Sequence, residues 1–198
     1  MENLLSITNG RNLLYLSILS LNINNHEALN VLRLLGLNDE ELNELTKNID
    51  ELLESSAENY RVDLDPVTRS LFVKVIKGFY ENAGYIIEGN AGSLKTMFAF
   101  MSQLVNDEVR ALKLGDFDNA KRLRTIQLRF LNTHLKPLLK GIIASNEKLS
   151  KAAMILLELI DNDIDLLKDL LSNIEYFSYT VGFHDEFKNA FHDNYVEN

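Results

Sequence analysis

The chain contains no cysteine. Disulfides, a thiolate nucleophile and zinc–sulfur sites are therefore excluded. Breakers are scarce too, with two prolines and nine glycines in 198 residues. Long stretches are left free to form helix. Apolar runs are short. The longest is Ala152 to Leu157, closed by Glu158, far below the ~20 residues of a membrane span. Leu13 to Leu21 follows Arg11 and could pass for a leader core. However, Glu2 precedes it and Asn22-Ile-Asn-Asn follows, with no small-residue cleavage site. It is expected to be a buried first helix, in a cytoplasmic protein with no membrane contact.

What is present is an uneven distribution of charge. The protein carries a net −9. Between Arg110 and Lys140, however, eight bases face only Asp116 and Asp118, a net of +6. Asp39 to Asp65 and Glu158 to Glu197 each hold ten acids against two bases, −8 apiece. An acidic balance argues against general nucleic-acid affinity, although a local patch can override the net sign.

The fold class expected is all-α. The pattern predicts a bundle of about seven to eight helices, with a central αα-hairpin and a long heptad-bearing helix. One helical domain over 1–198 is expected, with a subdivision into an acidic part (1–60) and a main bundle (65–198) as the alternative. Capping signals mark the helix starts: Asn24 to Glu27, Asn38 to Glu41, Asp65-Pro66, Ser93, Asp116 and Asn146. Gly36, Gly84 and Gly115 mark ends. Ser56 to Leu64 reads as loop. Tyr85-Ile-Ile87 is the one candidate strand, too short and solitary to build a sheet. The second arm of the hairpin is predicted from Phe117 to about Lys140, with a kink at Pro137. The long helix is predicted from Asn146 to about Asn173, followed by one or two short helices.

In that long helix Ala153, Leu157, Ile160, Ile164, Leu167, Leu171 and Ile174 repeat at spacings of four and three. Ile155, Leu159, Leu166 and Leu170 form a second row, so more than one neighbour is expected. Glu158, Asp161, Asp165 and Asp169 occupy the remaining face. The preceding helix carries Arg122, Arg129, Lys136 and Lys140 in a stripe without acids, along about 27 Å. Lys121 and Arg124 point elsewhere in this pattern. A fold about Ala144 would set Arg129 near Glu158 and Arg122 near Asp165. Such pairs are worth ~0–1 kcal/mol each when exposed, so they select register and partner more than they stabilise.

Motifs for chemistry are weak. Gly89-Asn-Ala-Gly-Ser-Leu-Lys95-Thr96 has Leu94 where a phosphate loop needs glycine, so a turn and helix cap are expected. Asp161-Asn-Asp163-Ile-Asp165 lacks the glycine and glutamate of a calcium loop and is expected on a solvated helix face. His184-Asp185-Glu186 with His192-Asp193 is the one histidine cluster; on one helix Asp185 and His192 would share a face as a surface metal site, but a polar tail is expected. His134 lies on an apolar arc and is expected to be a hydrogen-bonded core residue. No catalytic residue, cofactor or metal is expected.

The function expected is a non-enzymatic helical interaction or assembly protein. It would self-associate, as a homo-oligomer, or dock on a protein partner. Arg122, Arg129, Lys136 and Lys140 would act with Glu158, Asp161 and Asp165. The alternative is a nucleic-acid-associated regulator using the stripe at 122–140. A ligand pocket between helices and lined by His134 is a third possibility.

Overall fold

The computed structural model describes residues 2–21 and 25–192, and their side chains as far as residue 172 except residue 70. All regular structure among them is helical. α1 spans Glu2–Ser20, α2 His26–Leu34, α3 Asp39–Glu54, α4 Ala57–Tyr60 and α5 Pro66–Ala83. α6 spans Leu94–Lys113, α7 Phe117–Phe130, α8 Lys136–Ser145 and α9 Glu147–His192. The expected all-α multi-helix bundle is what the structure shows. Tyr85 to Ile87 is not a strand, and the one β-bridge joins Ser56 to Ser93.

Helix ends follow local hydrogen bonding. Asn38 and Glu41 form a reciprocal capping box. The Asp65 carboxylate accepts from the Val67 and Thr68 amides, with Pro66 at the first helical position. Gly84 closes α5 at φ 95° and Gly115 closes α6 at φ 71°. The Asp116 carboxylate then accepts from the Asn119 amide and starts the second arm of the hairpin. The cap of α2 is Asn25, whose side chain accepts from Glu27 and Ala28. Asn24 lies outside the described residues.

Three elements differ from expectation. The segment read as loop contains one helical turn, α4, because Ser56 caps it. The second hairpin arm is not one kinked helix: a π-helical turn, Leu131–Leu135, separates α7 from α8. α9 runs 46 residues to His192, without a break near Asn173.

α1 packs on α6, α6 on α7, and α9 against α8, α3 and α7. Leu14, Tyr15, Ile18 and Leu21 are buried in one core with Leu45, Leu104, Phe130, Leu156 and Leu167. Burial at about 1.5–3 kcal/mol per large side chain holds the helices together. The buried line of α9 keeps Ala153, Ile160, Ile164 and Leu167 of the predicted seam and widens beyond it. Leu149, Leu156, Ile160, Leu167 and Leu170 are buried, whereas Leu157 and Leu171 are half-buried. Three packing neighbours draw in a broader arc than one coiled-coil partner would. Ile174 lies outside the described side chains.

Candidate functional site

The highest concentration of buried charge lies where α1, α6, α7 and α9 meet. Arg11 from α1, Glu108 from α6, Arg124 from α7 and Asp163 from α9 are all buried. Arg11 Nε lies 2.6 Å from Asp163 Oδ1, and its Nη1 lies 3.2 Å from Glu108 Oε2. Arg124 Nε donates to Glu108 Oε1. The second guanidinium end of Arg124 donates to the Leu170 carbonyl at 2.8 Å. Gln127 donates to Glu108 at 3.0 Å and accepts from Arg11 at 2.7 Å. Tyr15 donates to Asp163 at 2.5 Å, and Thr8 donates to Glu108 at 3.2 Å.

Two cations and two anions cancel, so the cluster is neutral as a unit. Burial works against the charge on Arg11, but Asp163 and Glu108 outweigh it and raise its pKa. Burial, reinforced by Asp163, likewise raises the Tyr15 hydroxyl well above its ordinary value. An apolar groove of about 280 Å³, lined by Ile7, Leu14, Leu35, Leu159 and Leu166, reaches Arg11 and Asp163 from outside. The polar groups below it spend their bonds on one another, so the cluster ties four helices together.

Asp163 corrects the sequence expectation of a solvated face. Asp161 and Asp165 do face outward, but Asp163 sits 200° round the helix from Asp161 and in line with Leu156, Ile160 and Leu167. Arg124, off the basic stripe, points into the core. Arg11 shares the face of Thr8, Tyr15 and Ile18. The signal available was a charged residue at a core position on each of four helices.

A second assembly surrounds the π-turn. Pro137 has no N–H, so the Thr133 carbonyl loses its helical donor. Arg61 supplies one instead, with Nη1 3.3 Å from that oxygen. The same guanidinium grips Asp63 at 2.7 Å through both Nε and Nη2, and lies 4.1 Å over the Phe72 ring. It holds the Asp63 carboxyl below the usual range. Tyr60, next in the chain, places its backbone carbonyl where a Cβ on Gly141 would stand. Together these contacts lock α4 onto α8.

His134 lies in the π-turn, packed between the rings of Phe72, Phe79 and Phe130 at 5.5, 5.0 and 5.2 Å. It is buried as expected but held by rings, and its Nδ1 has no hydrogen-bond partner. Burial, with Arg61 and Arg129 nearby, pushes its pKa from 6.5 down to about 4. The unfolded chain therefore takes up a proton that the native state refuses. Stability from this group is fully present above pH 6.5 and is lost as pH falls towards 4. Urea titrations at pH 7, 6 and 5 should show a loss of about 2 kcal/mol that His134→Phe lacks. Equal slopes for the two proteins would refute this.

On the outer surface Lys136 Nζ lies 2.5 Å from Asp161 Oδ1, an ion pair across α8 and α9. A fold about Ala144 would have placed Lys136 near residue 152. The chain instead turns at Asn146, and the lysine side chain reaches further along α9. The other stripe residues do not meet the expected acids. Arg122 donates to the Asn119 side chain at 3.1 Å. Arg129 lies 5.9 Å from the Phe79 ring. Asp165 pairs with Lys168 at 2.7 Å. Lys140 and Glu158 are exposed.

Ser93 caps α6 through the Thr96 amide, and Lys95 lies 3.7 Å from Glu54, as a turn and cap require. The described residues contain no group of three or more potential metal ligands. His184, Asp185 and His192 fall outside the described side chains. No described helix is long and apolar enough to cross a membrane. No protein-family model matches the chain.

Proposed function

We propose that this chain is a non-enzymatic helical interaction protein that associates with itself or docks on a protein partner through its charged outer faces. The observation that carries the proposal is the state of the basic stripe. Arg122, Arg129 and Lys140 are exposed, and among the described residues only Lys136 of the four pairs with an α9 acid. Charges not cancelled inside the molecule remain available to an outside surface. The buried ionic cluster supports the same view, because its groups bind one another.

Sedimentation of the full chain at about 50 mM and about 500 mM salt tests self-association, which should weaken as screening grows. A strict monomer at high protein concentration in both conditions would defeat it. Docking on a different protein is tested by pull-down, and Arg122→Glu with Arg129→Glu should lose the bound partner.

A nucleic-acid-associated regulator is the second proposal, favoured by the same exposed arginines. It requires retardation of DNA or RNA that falls steeply with salt and vanishes in the double arginine variant. No retardation of either at low salt would remove it.

A further inference from the structure

α5 carries an apolar ridge on its outer side. Val67, Leu71 and Val75, spaced four apart, are 70, 50 and 56 % exposed. Lys74 stands on the same face, with Lys77 at the edge away from Val75 and Glu81 between them, all exposed, a net of one positive charge. A line of apolar residues open to water is uncommon on a surface with no partner. Elsewhere, α3 and α9 enclose a groove of about 420 Å³ of the opposite character. Glu40, Glu41, Glu44 and Glu158 line it against Lys151 alone, with Met154 and Ile155 supplying apolar surface. Met154 is 48 % exposed.

The ridge is apolar with a net positive charge, and the groove is acidic with Met154 and Ile155 in its lining. Both are open in the same molecule, so they meet only between molecules. We infer that a second copy of this chain fills the groove: the α5 ridge of one molecule docks between α3 and α9 of another. Leu71 and Val75 cover Met154 and Ile155, and Lys74 and Lys77 face Glu40, Glu44 and Glu158. This is a heterologous contact, since different patches meet on the two molecules. The inference rests on the self-association proposed above and names the surfaces that carry it.

Sedimentation velocity of the full chain over a range of concentrations tests it. Leu71→Glu with Val75→Glu should weaken association at least tenfold. Each side chain is at least half exposed, so the fold should survive, and a cooperative melting curve checks that it does. Two charge reversals avoid the apolar positions altogether. Lys74→Glu with Lys77→Glu makes the ridge acidic; Glu40→Lys with Glu158→Lys makes the groove basic. Each variant alone should associate at least tenfold more weakly than the wild type. An equimolar mixture should recover wild-type association, because every ridge then finds a groove of opposite charge. Wild-type association that survives Leu71→Glu with Val75→Glu would overturn this contact while leaving self-association standing. A mixture no stronger than its components would do the same. A wild type monomeric at every concentration and salt would remove both.

Discussion

Glu108→Ala should lower the stability of the fold by about 3–5 kcal/mol, the scale for removing one partner from a buried ion pair. Four donors converge on this carboxylate, from Thr8, Arg11, Arg124 and Gln127. Its loss leaves Arg11 with Asp163 and strips Arg124 of its buried carboxylate, so two buried cations stand against one anion. Arg124 cannot shed its charge, because guanidinium stays protonated in proteins. The cost is large against a typical total of about 5–15 kcal/mol. Urea unfolding should show a lower midpoint at unchanged slope. Because Glu108→Ala could prevent folding altogether, Glu108→Leu combined with Arg124→Leu is the informative companion. An apolar pair of similar volume removes the stranded charges together, and should recover part of the stability lost. A single variant within 1 kcal/mol of wild type would show that the cluster contributes little.

Gly141→Ala should be the most damaging of the small substitutions. The new Cβ would stand 1.6 Å from the Tyr60 carbonyl oxygen and 2.8 Å from its carbon. Backbone cannot rotate away as a side-chain tip can, so α4 must separate from α8. That separation also strains the Arg61 bond to Thr133 and the 3.0 Å bond from Asn146 to the Tyr60 hydroxyl. A loss of about 3 kcal/mol or more is expected, at the upper end for overpacking. Gly78 is the internal control. It too lies within a helix, but an added Cβ meets nothing within 4 Å. Gly78→Ala should therefore stabilise by roughly 0.5–1 kcal/mol through helix propensity and reduced unfolded-state freedom. Thermal unfolding of the two variants should move in opposite directions. A shift in the same direction would refute the close-contact explanation.

The glycine pair illustrates why one part of this protein is legible in sequence and another is not. Gly84 and Gly115 announce themselves, because a helix that ends in a left-handed residue favours glycine there whatever surrounds it. Gly141 and Gly78 look alike in the chain, and only the approach of Tyr60 separates them. Pro137 gives a similar lesson. Its missing donor predicts a disturbance of the helix, but not that a π-turn absorbs it or that Arg61 caps the released carbonyl. Among the charges, the outward positions of Asp161 and Asp165 follow from helical spacing. The inward turn of Asp163 follows from the same spacing only once the buried face of α9 is known.

The sequence by itself determined the all-helical class and most helix boundaries. The caps at Asn38, Asp65, Ser93 and Asp116 close their hydrogen bonds within about four residues, so local chemistry suffices. The tertiary structure alone decided which charges are buried, where α4 grips α8, and which apolar residues stay open on α5. Arg11 and Asp163 are 152 residues apart in the chain. No local rule pairs them, because long-range contacts are set by how whole helix faces exclude water together.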